Sequence, residues 1–162
     1  MTAMDIAQPE PAAPADAATR QFVTFLVGER IYGVDIMQVR EIRQWIPATP
    51  LPNQPHFTRG VLNLRGTIVP VHDLRAKFAG ALTDATENHV VLIASVGGQT
   101  IGVLVDAVSD IISVDTSEIR PVPDNAGEAD ISALLGLVST EDAMVVLLDL
   151  ATLFPPPDRD ED

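Results

Sequence analysis

The chain has 162 residues, 46% hydrophobic and only 4% aromatic, with no cysteine and a net charge of -13 at pH 7. That length suits one domain or two small ones, and a composition rich in Val, Ile and Leu can bury a core built of strands. The lack of cysteine excludes a disulfide framework, a cysteine–zinc site and a cysteine nucleophile, and the acidity argues against general nucleic-acid binding.

The charge is unevenly spread. Residues 30–78 carry a net +4, six of their seven cations being arginine, whereas residues 1–29 carry -3 and residues 79–162 carry -14. Arginine suits protein interfaces because its planar fork makes bidentate contacts at low desolvation cost. The alternative is that these arginines only balance the acidic half of the same molecule.

In chain order, residues 1–19 are rich in Ala and Pro and predict a disordered tail. They hold neither the basic residue nor the apolar segment of a secretory signal. "QFVTFLVGERIYGVDI" reads as a strand, a turn at Gly28-Glu29-Arg30 and a second strand. "MQVREIRQ" places Ile36, Val39 and Ile42 at helical spacing and predicts one or two turns of helix. "IPATPLPNQP", with four prolines in ten residues, predicts a stiff irregular connection.

"FTRGVLNLRGTIVPVHDL" reads as a hairpin with Arg65-Gly66 at its tip, where Asn, Asp or Gly is the usual choice. A short helix, "DLRAKF", follows. "HVVLIASVGGQTIGVLVDAVSDIISV" predicts another hairpin and a further strand. Its uncharged stretch from His89 to Val105 is broken at Gly97-Gly98-Gln99-Thr100, so it reads as a hairpin and not a membrane span, and a cytoplasmic protein is expected. After a loop over 121–130, "ISALLGLVSTEDAMVVLLDLATLF" predicts a last hairpin and a closing helix, and residues 155–162 an acidic tail.

An internal repeat underlies this order. At an offset of 69, Gly28, Gly33, Val34, Val39, Glu41 and Ile42 meet Gly97, Gly102, Val103, Val108, Asp110 and Ile111. At an offset of 76, Gly60 meets Gly136 and Asp73-Leu74 meets Asp149-Leu150. Four or five short strands, twice over, predict a mainly β chain of two small barrels packed together. The hairpin tip is Arg65-Gly66 in the first copy and Glu141-Asp142 in the second, so folding does not demand arginine there. Arg59, at the start of the same hairpin, keeps the weaker charge-balance reading.

The residues argue for no catalytic constellation. His56, His72 and His89 lack metal-ligand spacing, no serine sits in a nucleophile elbow, and no phosphate-binding loop precedes the single Lys77. Asp73 and Asp149 precede helical turns and read as N-caps, not as acids for catalysis. A binding module remains, with no enzyme activity, cofactor or metal.

"FLVGERIYGVDIMQVREI", "TPLPNQPHFTRGVLNLRGTIVPVHDLRAKF" and "IGVLVDAVSDIISV" closely resemble the CheW family of bacterial chemotaxis coupling proteins, from about Gln21 to Phe154. The resemblance implies two SH3-like five-stranded β-barrels over 20–154. Barrel 1 is expected at about 20–65 plus 145–154, and barrel 2 at about 66–144. It also implies a non-catalytic adaptor, a scaffold that couples the cytoplasmic tips of methyl-accepting chemoreceptors to the histidine kinase CheA through the kinase's regulatory CheW-like domain. Such an adaptor is monomeric alone, forms rings with CheA, and is cytoplasmic but recruited to membrane receptor arrays. A coupling module of a non-motility chemosensory pathway is the alternative.

Carried over by position, receptor-binding residues fall on Val39, Glu41 and Arg65, with Ile36, Arg40, Gly60 and Gly66 shaping the groove. Kinase-binding residues fall around Val105, Val108, Asp110 and Ile111. His72 stands where the family usually has an apolar residue.

Overall fold

The computed structural model of the chain describes residues 19–123, 133–141 and 143–155. The expected tails lie almost entirely outside the described residues, as do Asp142 and most of the loop over 121–130. The described part forms β1 (Thr19–Val27), β2 (Arg30–Asp35), β3 (Val39–Gln44), β4 (Thr58–Leu64), β5 (Thr67–Asp73), α1 (Leu74–Ala79), β6 (Val90–Val96), β7 (Gln99–Val105), β8 (Ala107–Asp115), β9 (Leu134–Ser139), β10 (Met144–Leu148) and α2 (Leu150–Leu153).

The strands make two five-stranded sheets, ordered β8-β1-β2-β10-β9 and β3-β6-β7-β5-β4. The first repeat supplies β1 to β5 and α1, the second β6 to β10 and α2. Each sheet therefore takes one hairpin from one repeat and three strands from the other. This corrects the expected division of the barrels, which grouped β3 and β4 with β1, β2 and β10. Those two strands lie in the second sheet, and β8 and β9 take their place in the first. The reason is that β3 pairs with β6, and β8 with β1, across the repeats.

Residues of "MQVREIRQ" form only a 3-10 turn at Ile36–Gln38 before β3 begins. Asp35 caps that turn by accepting from the Met37 backbone N–H. The expected helix gives way because β-branched Val39 and Ile42 find partners on β6, opposite Ala94 and Leu92. Ile36 and Val39 still pack inward, which is the part of the helical spacing that holds.

Three apolar clusters hold the structure. Trp45, Leu62, Leu64, Val69, Val71, Val91, Ile93 and Leu104 fill the second barrel. Phe22, Val114, Val138, Val145 and Leu147 fill the first. A larger layer between the barrels takes Val23, Phe25 and Val34 from one sheet, Leu92, Ala94 and Val103 from the other, and Leu74, Leu150 and Leu153 from the helices. β1 and β6 are thus covered on both faces, which is why they read as near-continuous apolar runs.

The repeat extends to backbone contacts. Thr49 bridges to Val61 on the outer side of β4, and Arg120 bridges to Leu137 on the outer side of β9. Both passing segments press on a glycine. A Cβ on Gly60 would stand 2.3 Å from the Thr49 carbonyl oxygen, and one on Gly136 would stand 2.5 Å from Ile119 Cγ2 and 2.8 Å from the Arg120 carbonyl oxygen. Both glycines also have positive φ, 142° and 155°. Further on, the Asp73 N–H donates to the Phe57 carbonyl and the Asp149 N–H to the Ala133 carbonyl, again an offset of 76. Asp73 and Asp149 are helix N-caps, as the sequence predicts.

His72 fastens α2 to the other repeat. Its ring stacks on Phe154 at 4.6 Å, meets Phe57 edge-on, and bonds Thr58 Oγ1 through Nδ1 at 3.0 Å. Burial, with Lys77 adding repulsion, pushes its pKa down to about 4.

Gly60→Ala and Gly136→Ala are each expected to cost roughly 2–4 kcal/mol in urea unfolding. Gly66→Ala, with open space around the added methyl, is expected to cost only about 1 kcal/mol. Equal losses at all three sites would contradict the close approach of the passing segments. His72 is neutral in the folded chain well below the pH at which the unfolded chain protonates it. Stability should therefore fall as pH drops from about 6.5 to about 4, by on the order of 3 kcal/mol. Comparing urea unfolding of the wild type and His72→Leu across that range isolates this contribution, and parallel curves would refute it.

Candidate partner-binding surface

The tip of the β4–β5 hairpin is a two-residue turn, since Leu64 pairs with Thr67. Arg65 and Gly66 both have positive φ, 51° and 90°, as the primed turns of tight hairpins require. The Asn63 side chain braces the turn by accepting from the Gly66 N–H at 2.9 Å. Asn63 and Gly66 thus supply the turn chemistry, and Arg65 is held in a conformation that favours other residues. In the second copy Thr140 and Ala143 close the same tip, with a 2.8 Å backbone hydrogen bond and an exposed Glu141.

The Arg65 guanidinium is 70% exposed and reaches across to Glu41 on β3, 2.5 Å away. Glu41 also accepts from Arg43 Nη1 at 3.2 Å. The Arg65 hydrogen bond is the chief cause that holds the Glu41 carboxyl below the usual carboxylate range, with Arg43 adding to it. A bulge between Val39 and Glu41 leaves Arg40 unpaired in the ladder and exposed. Together Arg40, Glu41, Leu64, Arg65, Thr67 and Ile93 line a shallow depression of about 350 Å3.

The structure therefore gathers Arg40, Glu41 and Arg65 from the expected receptor-facing set, with Gly66 beside them in the turn. Ile36 and Val39 lie half-buried against the layer between the barrels. Gly60 is buried beneath Thr49, so its place is to admit the passing segment.

On the other sheet, Asp110 and Ile111 are exposed on the outer strand β8, and Val108 is half-buried. Val105 is only 1% exposed and belongs to the layer between the barrels. This corrects its expected place at the surface. It lies at the end of β7 opposite Val90 of β6, with its side chain packed into that layer.

Two residues escaped the sequence reading. Ile42 is 48% exposed on β3 opposite Leu92, and its repeat counterpart Ile111 is 51% exposed on β8 opposite Val23. Both outer strands thus carry an exposed apolar residue beside the layer between the barrels. The repeat alignment already paired them, and an isoleucine on the exposed side of a strand was the available signal.

The second is Arg59. Its Nη1 donates to Asp73 Oδ2 at 3.0 Å and to the Thr83 carbonyl at 2.6 Å, and its guanidinium lies 5.2 Å from the Trp45 ring centre. Asp73 is fully buried, caps α1 and accepts twice from Thr83. A buried carboxylate needs a nearby cation, so Arg59 has a specific structural partner and the charge-balance reading is corrected.

Among the described residues no helix is long and apolar enough to cross a membrane. A family model described as CheW-like domain matches residues 21–156. The chain is 40% identical over 141 residues to the chemotaxis protein CheW of Rhizobium meliloti, covering 87% of this chain and 91% of that one. It is 40% identical over 134 residues to the chemotaxis protein CheW of Klebsiella aerogenes, covering 83% and 81%. The crystal structure of the scaffolding protein TtCheW from Thermoanaerobacter tengcongensis superposes with a TM-score of 0.78 at 30% identity, over 94% of each chain.

Removing the Arg65 partner should release Glu41. In Arg65→Ala the Glu41 carboxyl, followed by carbon NMR against pH, is expected to titrate closer to an ordinary glutamate than in the wild type. An unchanged midpoint would mean that the pair does not form in solution.

Proposed function

The chain belongs to the CheW-like family, and from that premise we propose that it is a non-catalytic adaptor coupling the cytoplasmic tips of methyl-accepting chemoreceptors to the histidine kinase CheA. It works in the cytoplasm and joins receptor arrays at the membrane, taking the kinase through the CheW-like regulatory domain of CheA. The observation that carries the reading is the family match over residues 21–156, which spans both barrels.

The geometry supports a division of labour. Arg65, Glu41 and Arg40 form a charged rim on the second sheet, and half-buried Ile36 and Val39 precede it along the chain. A receptor tip is a helical hairpin, and a helix laid there sets an apolar face against Val39 and Ile36. A receptor carboxylate then competes with Glu41 for Arg65. Such a rim contact tunes orientation and partner choice more than bulk affinity. The kinase face falls on Asp110 and Ile111 of β8, with Val108 behind them. Because β3 and β8 are the outer strands of different sheets, the two partners need not exclude each other.

The test is a pair of substitutions read against both partners. Arg65→Glu is expected to weaken receptor binding by roughly tenfold or more, leaving the circular dichroism spectrum and kinase binding near the wild type. Ile111→Asp is expected to do the reverse. Loss of both partners in either variant, with the fold intact, would reject the separate faces.

A further inference from the structure

A second cleft among the described residues is larger than the Arg65 depression. It has a volume of about 1000 Å3 and lies on the other sheet, between the β1–β2 turn, α1, the β9–β10 hairpin and Val122–Pro123. Its walls are mainly apolar, with Tyr32, Phe78, Leu134, Leu137, Met144 and Val146 the main contributors, and Glu29, Arg30 and Arg75 are its charged residues. Met144 is 50% exposed, so the apolar surface runs out past the mouth of the cleft. An enclosed small-molecule site would be walled off there, whereas a shoulder of this kind suits a macromolecule.

Two polar groups are left over in this apolar setting. Tyr32 is only 8% exposed, its ring stacked between Phe25 at 6.0 Å and Phe78 at 5.4 Å. Among the described residues its hydroxyl has no hydrogen-bond partner, and because Tyr32 lines the cleft that donor is available to an acceptor there. Burial raises its pKa, so it stays a neutral donor, and Arg30 is near enough to oppose that shift. Arg30 is itself exposed and has no ion-pair partner among the described residues. Arg75, the other cation of the cleft, is taken by Asp106 at 2.7 Å. Arg30 and Tyr32, two residues apart on β2, offer a guanidinium and a hydroxyl donor to an anionic acceptor flanked by apolar groups, with Glu29 beside Arg30 setting how closely that acceptor can approach.

The sheet decides how such an occupant sits. β2 and β10 are interior strands, and the outer side of β9 is bridged by Arg120. Among the described residues the bridge at Leu137 interrupts the β9 edge, so a partner gains more by docking through side chains, as an amphipathic helix does, than by adding a strand.

We propose that this cleft is a second docking site, for an amphipathic helix of a partner protein that sets apolar side chains against Phe78 and Leu137 and a carboxylate against Arg30 and Tyr32. None of its lining residues belongs to the Arg65 depression, so the inference stands independently of the receptor and kinase assignments.

The test uses the full chain labelled with nitrogen-15. The probe is a synthetic amphipathic peptide with Leu at i, i+3, i+4 and i+7 and Glu beside them. Saturable amide shifts are expected at Tyr32, Phe78, Leu137 and Met144. Arg30→Glu, at an exposed site, should weaken binding by roughly tenfold. Tyr32→Phe, which keeps the ring stack, should weaken it by a similar factor. Arg65→Glu should leave it unchanged. The proposal fails if a Lys-for-Glu peptide binds equally well, if the shifts map to Arg65, if Arg30→Glu and Tyr32→Phe change nothing, or if no saturable binding occurs. It also fails if decanoate fills the cleft and the peptide does not, or if sedimentation finds a dimer of this chain that Arg30→Glu dissolves.

Discussion

Val71 lies beside Gly102, and Leu147 beside Gly33, in two short parallel pairings that join one repeat to the other. The rest of the molecule depends on these contacts. They seat the β4–β5 hairpin of the first repeat next to the β6–β7 hairpin of the second, and the β9–β10 hairpin next to β1–β2. A Cβ on Gly33 would stand 3.1 Å from Leu147 Cδ2, so glycine lets β2 and β10 close, while one on Gly102 would stand 2.8 Å from Val91 Cγ1 on β6, so glycine there admits its own hairpin partner. With both pairings made, neither barrel can form from one half of the chain alone.

That exchange explains the three-part core. Each barrel has a modest interior of its own, but the layer between them draws on both sheets and both helices. Burying the outward faces of β1 and β6 there removes apolar surface that a single barrel of this size would leave in water. It also leaves β3 and β8 as outer strands flanking that layer, each with an isoleucine at its rim. The surfaces assigned to partners therefore follow from how the sheets close.

The two-fold relation between the repeats has a second consequence. Equivalent backbone positions carry opposite charge: Arg65 matches Glu141 at the tips, while Glu41 and Asp110 keep the same sign on the outer strands. Glu41 finds a cation at its tip and Asp110 does not; its carboxylate bonds the Ile111 N–H instead. One backbone thus presents two surfaces of different electrostatic character, as an adaptor with two kinds of partner needs.

Much of this was legible along the chain. Alternating and continuous apolar runs gave the hairpins, glycine and aspartate recurring at fixed offsets gave the repeat, and the charge at the Arg65 tip was visible as an exception to turn chemistry. These are local signals, set by a period of two residues and by residues suited to positive φ. What the sequence left open is everything that joins distant positions. Tertiary structure alone decided that β3 leaves its own repeat to pair with β6, that Glu41 meets Arg65 and Asp73 meets Arg59, and that Val105 is sealed beneath its neighbours while Ile42 is not. A strand's pattern states that it has a covered face but not which strand will cover it. That choice is made by the edges free when the chain closes on itself, and no window of neighbouring residues contains it.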